Sequence, residues 1–190
     1  MDHRRLLKLS TNTSTRAIVA VFCLCSSLVL VRGAETQTSP QSAGDLVTGL
    51  YNLVSSTSGN LPDWDKVRAC FLNEAVVVLR TSRTATTVFS LEGFIKDFVD
   101  FYERPFGRGE KTVVPKEKGF TEKVIRIKAW EYGEMAHVLV LYESAITGFT
   151  LPPRRGVDSF LLVRRDGRWL IAAITNELVS PDRPVPPELQ

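Results

Sequence analysis

The spacing of apolar positions changes along the chain, and this change predicts where helices and strands lie. Apolar residues recur at helical spacing in the first half of the chain, whereas the second half mostly alternates at the spacing of a strand. The predicted helices are 43–56, 64–72 and 90–102. The predicted strands are 74–80, 122–133, 135–146, 157–165 and 168–177. Helices that come first and antiparallel strands that come last predict an α+β fold.

Turn and capping residues support these boundaries. Asp166-Gly167 separates two apolar runs, and an Asp-Gly pair between such runs predicts a tight β-hairpin because both residues accept a positive φ. Ser42 and Asp63 each precede a predicted helix and are residue types that cap helix N-termini, and Ser90 begins the third predicted helix. We therefore expect 135–177 to form a three-strand meander.

The first 33 residues differ from the rest of the chain. Basic residues precede an apolar run over 17–31, and Arg32-Gly33-Ala34 follows it. This order predicts a signal peptide that is cleaved near Gly33, with export to the periplasm or the outside of the cell. The alternative is a membrane anchor formed by 17–31, although a span needs about 20 apolar residues. Residues 34–42 are predicted to be a flexible linker.

The positive charge of the chain belongs to this leader. The chain has 24 Lys and Arg against 21 Asp and Glu, but residues 1–33 hold five of the basic residues and one of the acids. The remaining chain has 19 basic and 20 acidic residues, so its charge does not favour nucleic acid. We expect no nucleic-acid partner, and membrane contact only if the leader is retained.

Several segments together resemble one known superfamily. The segments are "SLEGFIKDFVDFYE", "AHVLVLYES", "RGVDSFLLVRRDGRW" and "NELVSPDRPVPPEL". Over 43–190 the chain resembles the nuclear transport factor 2-like superfamily, which includes SnoaL-like proteins and ketosteroid isomerases. The resemblance implies a cone-shaped, curved antiparallel sheet with three N-terminal helices on its concave face and a pocket between them. It implies a domain over 43–180, a Pro-rich tail over 181–190 and a homodimer formed through the sheet.

The sequence gives only scattered candidates for catalysis. Glu143, His137 and Tyr51 are candidate acid or base groups. Tyr142 and Glu143 are neighbours on one strand, so only one of the two can face the pocket. An inward Glu143 would have a raised pKa and could act as a base, whereas an outward Glu143 would be a solvated charge or a dimer contact.

Six residues are candidates for ligand binding: Tyr51, Arg80, Trp130, Tyr142, Asp158 and Asn176. Asp158 and Asn176 lie on neighbouring strands, where they can hydrogen-bond to each other or to Arg155. The resemblance implies that an isomerase of this type carries an Asp base on the strand after the second helix, where this chain has Arg80. Arg stays charged and cannot act as a base. The resemblance also places an acid at the position of Asn176, so both departures count against that activity.

The sequence contains no spacing of His, Cys or carboxylates that predicts a metal site, and no phosphate-binding loop that predicts a nucleotide cofactor. We expect neither a metal nor a cofactor. The first expectation for function is an apolar pocket that binds a hydrophobic small molecule without a catalytic set. The alternatives are an isomerase, dehydratase or cyclase that uses acid/base residues, and a dimeric association domain.

Overall fold

The computed structural model describes residues 41–81 and 84–190. The predicted leader, 1–33, and most of the predicted linker lie outside the described residues. No helix in the described part of the chain is long and apolar enough to span a membrane.

The strands in the described residues form one mixed sheet. Its order is β1-β4-β5-β6-β7-β2-β3. The strands are β1 (Ser56–Thr57), β2 (Phe71–Arg80), β3 (Thr86–Ser90), β4 (Gly119–Tyr132), β5 (Met135–Ile146), β6 (Arg154–Arg165) and β7 (Arg168–Leu178).

Helices follow the predicted caps. They are α1 (Ala43–Val54), α2 (Trp64–Arg68), α3 (Leu91–Glu103) and α4 (Pro115–Lys118), and 3-10 turns lie at Gly109–Lys111 and Pro187–Leu189. The side chains of Ser42, Asp63 and Ser90 each accept a hydrogen bond from a backbone N–H in the first turn of their helix. The predicted starts of α1 and α2 are therefore correct, and α3 begins one residue after its predicted start because Ser90 is its cap.

The meander of β5, β6 and β7 agrees closely with the sequence prediction. β5 occupies the predicted range, and Asp166 and Gly167 both have positive φ, 52° and 75°, in the hairpin between β6 and β7. This turn sets the register as far as Leu162 and Ile171. An extra residue in β7, Ala172, then shifts the register by one, so that Asp158 pairs with Asn176. The α+β fold is confirmed.

One pairing differs from the expected antiparallel sheet. β2 pairs with β7 in parallel, although every other strand pair is antiparallel. A long stretch of chain separates these two strands, so no tight hairpin forces them to be antiparallel.

The ends of some helices and loops also differ from the predictions, because strand pairing overrides the local spacing of apolar residues. The second helix ends at Arg68 rather than at 72, because β2 already begins at Phe71, which pairs with Ile171. The predicted loop 105–119 contains a 3-10 turn and the short helix α4.

The helices cover one face of the sheet, which we call the inner face. α1 packs against β4, β5 and β7, and α3 packs against β2. The buried side chains Val138, Val140 and Phe160 lie on this face. His137 and Glu143 alternate with Val138 and Tyr142 along β5, and they lie on the opposite, outer face.

The Pro-rich C-terminal segment is ordered against the sheet. Its 3-10 turn packs against β4 and β5, and Leu189 is 2% exposed. The segment lies on the surface as expected, but Leu189 is anchored in apolar contacts.

Tyr102 joins the ends of α1 and α3. Its side chain is buried, and its hydroxyl donates a 2.7 Å hydrogen bond to the carbonyl oxygen of Val54, the last residue of α1. The last carbonyls of a helix have no partner within the helix, so this bond satisfies a group that would otherwise be unpaired.

We expect Tyr102→Phe to lower the free energy of unfolding by about 1–3 kcal/mol, because the Val54 carbonyl would be left buried without a donor. Urea denaturation followed by circular dichroism measures this. Tyr132→Phe is the matched control, since Tyr132 is 80% exposed and its hydroxyl lies at the surface. Equal stability of Y102F and Y132F would show that the hydrogen bond contributes nothing.

Candidate functional site

A cavity of about 500 Å³ lies between the inner face of the sheet and the helices. Aromatic side chains supply a large part of its apolar lining, and polar groups converge on one part of its wall. The aromatic lining residues are Phe94, Phe98, Phe101, Phe106, Phe120, Phe149 and Phe160. The polar and ionisable residues of that wall are Tyr51, Glu122, Tyr142, Asp158 and Asn176. A mainly apolar cavity with a few convergent polar groups is typical of a small-molecule site.

Strand register brings three of these polar groups together. Asp158 on β6 pairs with Asn176 on β7, and both side chains point to the inner face. Tyr142 on β5 pairs with Gly156, two residues before Asp158, so its side chain also points inward. Tyr51 reaches the same place from α1, at the face that packs on the sheet.

Asp158 is the centre of a hydrogen-bond network. The Tyr51 hydroxyl donates to Oδ2 of Asp158, and the Asn176 amide donates to Oδ1 at 2.5 Å. The same Asn176 nitrogen donates to the Tyr142 hydroxyl oxygen at 3.1 Å. The Asn176 side-chain oxygen accepts a 3.4 Å hydrogen bond from the Arg80 backbone N–H. Of the two alternatives that the sequence leaves open, Asp158 and Asn176 bond to each other, whereas Arg155 pairs with Glu143.

Glu122 is a further acid in the cavity wall, and the sequence prediction missed it. It lies on β4 opposite Ser144 of β5, which also lines the cavity. Within the described residues, its carboxyl group makes no hydrogen bond and no ion pair. The available signal was the alternation of β4, since Glu122 stands between Phe120 and Val124 on one face of the strand.

The two acids have raised pKa values, mainly because the protein removes water from them. Desolvation raises the pKa of Asp158 to about 6, against the opposing effect of hydrogen bonds from Tyr51 and Asn176. Desolvation and then the negative charge of Asp158 raise the pKa of Glu122 to about 8. At neutral pH Asp158 is therefore mostly ionised, and Glu122 is mostly protonated.

Both tyrosines keep their protons. Desolvation, followed by the charge of Asp158, raises the pKa of Tyr51 and of Tyr142 well above the usual range. Their rings pack together, with centroids 5.9 Å apart, so the phenols form one edge of the polar patch.

Gly156 determines where the Tyr142 ring lies. A Cβ atom built on Gly156 would stand 2.4 Å from the Tyr142 hydroxyl oxygen and 2.5 Å from two of its ring carbons. The ring therefore crosses directly over the backbone of β6, where any side chain would displace it. This close approach is what lets the Tyr142 hydroxyl reach Asn176.

The other predicted site residues lie elsewhere. His137, Trp130 and Glu143 are on the outer face, away from the cavity. The His137 ring stacks on Trp130 with centroids 5.4 Å apart and hydrogen-bonds to Ser159 at 2.9 Å. Glu143 forms an ion pair with Arg155 at 3.2 Å. Alternation along β5 places His137 and Glu143 opposite to Tyr142, so neither reaches a ligand in this cavity.

Arg80 lies at the edge of the cavity and is already paired. Its guanidinium forms a 2.6 Å ion pair with Glu177. Its backbone N–H, rather than its side chain, contacts the network through Asn176.

Across residues 41–81 and 84–190, no three His, Cys, Asp or Glu side chains are grouped closely enough to hold a metal ion.

Comparison with solved structures identifies the fold. The chain is similar to a candidate dehydratase of the nuclear transport factor 2-like family from Streptomyces avermitilis, with TM-score 0.53, 12% identity, and coverage of 75% of this chain and 97% of that one. It is similar to a candidate aromatic ring hydroxylase from Novosphingobium aromaticivorans, with TM-score 0.52, 17% identity, and coverage of 72% and 86%. It is also similar to a candidate ketosteroid isomerase from Parabacteroides distasonis, with TM-score 0.50, 13% identity, and coverage of 77% and 96%.

These likenesses show a nuclear transport factor 2-like fold. No protein-family model matches the chain, and no curated protein matches it by sequence. The sites of the similar structures therefore transfer no residue roles to this chain.

We expect Gly156→Ala to lower the free energy of unfolding by about 1–3 kcal/mol, because the added methyl group forces the Tyr142 ring to move. Urea denaturation measures the change. Gly49→Ala is the control, since a Cβ at Gly49 meets no atom within 4 Å. Because Ala is favoured over Gly inside a helix, G49A should be neutral or stabilising. A stable G156A protein would contradict the close approach.

The raised pKa of Glu122 predicts how stability depends on pH. Its folded pKa lies above its unfolded value, so the folded state binds the proton more tightly and stability falls as pH rises from about 4.5 to about 8. We expect Glu122→Gln to remove roughly 1–3 kcal/mol of this loss between pH 5 and pH 9. Urea midpoints of both proteins at the two pH values measure it. Glu143→Gln is the control, and identical pH profiles for wild type and E122Q would exclude a raised Glu122 pKa.

Proposed function

We propose that this protein binds a small, mainly apolar molecule in the cavity and moves a proton on it, as isomerases and dehydratases do. The observation that carries the proposal is that two acids, Asp158 and Glu122, line one cavity. Loss of water raises the pKa of Asp158 to about 6 and that of Glu122 to about 8. Two titratable groups whose surroundings separate their pKa values are suited to act as a base and an acid.

Asp158 is the base in this proposal. It is mostly ionised at neutral pH, and Tyr51 and Asn176 hold both of its oxygens in place. A carboxylate has about four lone-pair positions, so two donors leave room for it to accept a proton from a ligand. This places the base on β6, whereas the resemblance places it on the strand where this chain has Arg80.

Glu122 and Tyr142 are the proposed donors. Glu122 keeps its proton at neutral pH, and no described residue engages its carboxyl group, so it can donate to a ligand. The Tyr142 oxygen accepts a hydrogen bond from Asn176, which leaves the proton of its own hydroxyl free for a ligand oxygen. Donors aimed at a developing negative charge stabilise it best where water is excluded.

Exchange of hydrogen for deuterium tests this proposal without knowledge of the natural substrate. The full chain is incubated in D₂O with small cyclic ketones such as cyclohexanone and 2-tetralone, and proton NMR follows exchange at the carbon next to the carbonyl. We expect wild-type protein to accelerate exchange and Asp158→Asn to lose about 100-fold or more of that rate. The rate should rise near pH 6 as Asp158 ionises and fall near pH 8 as Glu122 loses its proton.

Glu143→Gln and His137→Gln are the matched controls, since both side chains lie on the outer face. They should retain the wild-type exchange rate. If no ketone exchanges faster than in buffer, or if D158N exchanges as fast as wild type, proton transfer by Asp158 is excluded.

The second candidate function is binding without chemistry. It is favoured by the closed network around Asp158, in which each oxygen already has a donor. In this case the network orients the polar end of a hydrophobic ligand, and D158N weakens binding without abolishing a reaction.

Export of the protein and a homodimer formed through the sheet stay predictions from the sequence.

A further inference from the structure

Two exposed arginines that line the cavity have no acidic partner among the described residues. Arg104 follows α3 and Arg154 begins β6, and both line the cavity. Within the described part of the chain, neither guanidinium makes an ion pair or a hydrogen bond. Arg80, the third arginine of the lining, differs because Glu177 neutralises it.

Strand geometry directs Arg154 toward the cavity. Arg154 pairs with Ser144, which also lines the cavity, and it precedes Asp158 by four residues on the same strand face. Arg155, the next residue, points outward to Glu143. The charge of Arg154 opposes the rise in the Tyr142 pKa, in agreement with a guanidinium on the same side as that phenol.

Aromatic rings from the segments that carry the two arginines lie close together. The rings of Phe101 and Phe106 lie 5.3 Å apart, and those of Phe106 and Phe149 lie 6.2 Å apart. Arg104 stands two residues before Phe106, and Arg154 stands five residues after Phe149, so these rings supply an apolar surface near both arginines. A ligand that uses both parts has an apolar body and a negatively charged end.

We propose that the natural ligand is an organic acid, with its carboxylate bound by Arg154 and Arg104 at the mouth and its apolar body directed inward. The planar guanidinium group matches a carboxylate in shape as well as in charge. Asp97 also lines the cavity, and Asp158 lies deeper, so a negative group is favoured only beside the two arginines. This inference rests on one part of the proposed function, that the cavity binds a ligand, and does not require proton transfer.

A pair of probes that differ in charge tests this inference. Isothermal titration calorimetry of the full chain compares 4-phenylbutyrate with its neutral counterpart 4-phenylbutanol at pH 7.5 and low salt. We expect the acid to bind about tenfold more tightly than the alcohol. Added salt should reduce this preference, because both arginines are exposed at the surface.

The variants Arg154→Gln, Arg104→Gln and the double variant should lose the preference for the acid while they retain affinity for the alcohol. Arg165→Gln is the matched control, since Arg165 is an exposed residue of the same strand that does not line the cavity. Circular dichroism checks that each variant is folded. If the double variant is unfolded, the two single variants decide the result.

Three results would overturn the organic-acid proposal: equal binding of acid and alcohol, an unchanged preference in the variants, or no binding of either probe. The first two results do not contradict proton transfer by Asp158, provided that D158N still loses ketone exchange. Conversely, an arginine-dependent preference for the acid without any ketone exchange would support the acid site and remove proton transfer.

Discussion

The register of β5, β6 and β7 is the constraint on which the site depends. Side chains alternate along a strand, so a slip of one residue would move Asp158 and Asn176 from the cavity to solvent. The Asp166-Gly167 hairpin and the one-residue bulge at Ala172 together fix the pairing of β6 with β7 at the site. The pairing of Gly156 with Tyr142 fixes that of β5 with β6. The polar network and the apolar core are therefore specified by the same pairings.

The cavity places acids where water is scarce, and this has an energetic cost. A carboxylate that loses water is destabilised unless hydrogen bonds replace the water, and Asp158 receives two. Glu122 receives none from the described residues and instead remains protonated at neutral pH. Such a cost at one site is typical of a functional site rather than of a core that is optimised for stability.

The sequence predicts the fold better than the site. Periodicity, capping residues and one hairpin turn locate most elements because these signals are local. The parallel pairing of β2 with β7 has no local signal, since it joins segments far apart in the chain. Asp158 and Asn176 could be placed side by side from neighbouring strands, whereas Tyr51 and Tyr142 could be named only as separate candidates. Glu122 could not be singled out, because one acid on a strand with several outward charges looks like another surface residue.

The sequence also cannot decide which of two adjacent strand residues has its side chain on the inner face. Tyr142 and Glu143 are adjacent, and the sequence leaves open which of them faces the pocket. The structure resolves this through Gly156, whose missing side chain makes room for the Tyr142 ring. His137 and Trp130 were candidates for the site, but their positions in paired strands place both on the outer face.

The amide at Asn176 gives the hydrogen-bond chain a direction. Its oxygen accepts from the Arg80 backbone, so its nitrogen must face Asp158 and Tyr142 and donate to both. A carboxylate at this position would instead confront Asp158 with a second negative charge. Asn176, whose amide first counted against activity, thus links the backbone of the parallel strand β2 to the carboxylate of Asp158. It accepts a hydrogen bond on the β2 side and donates on the other.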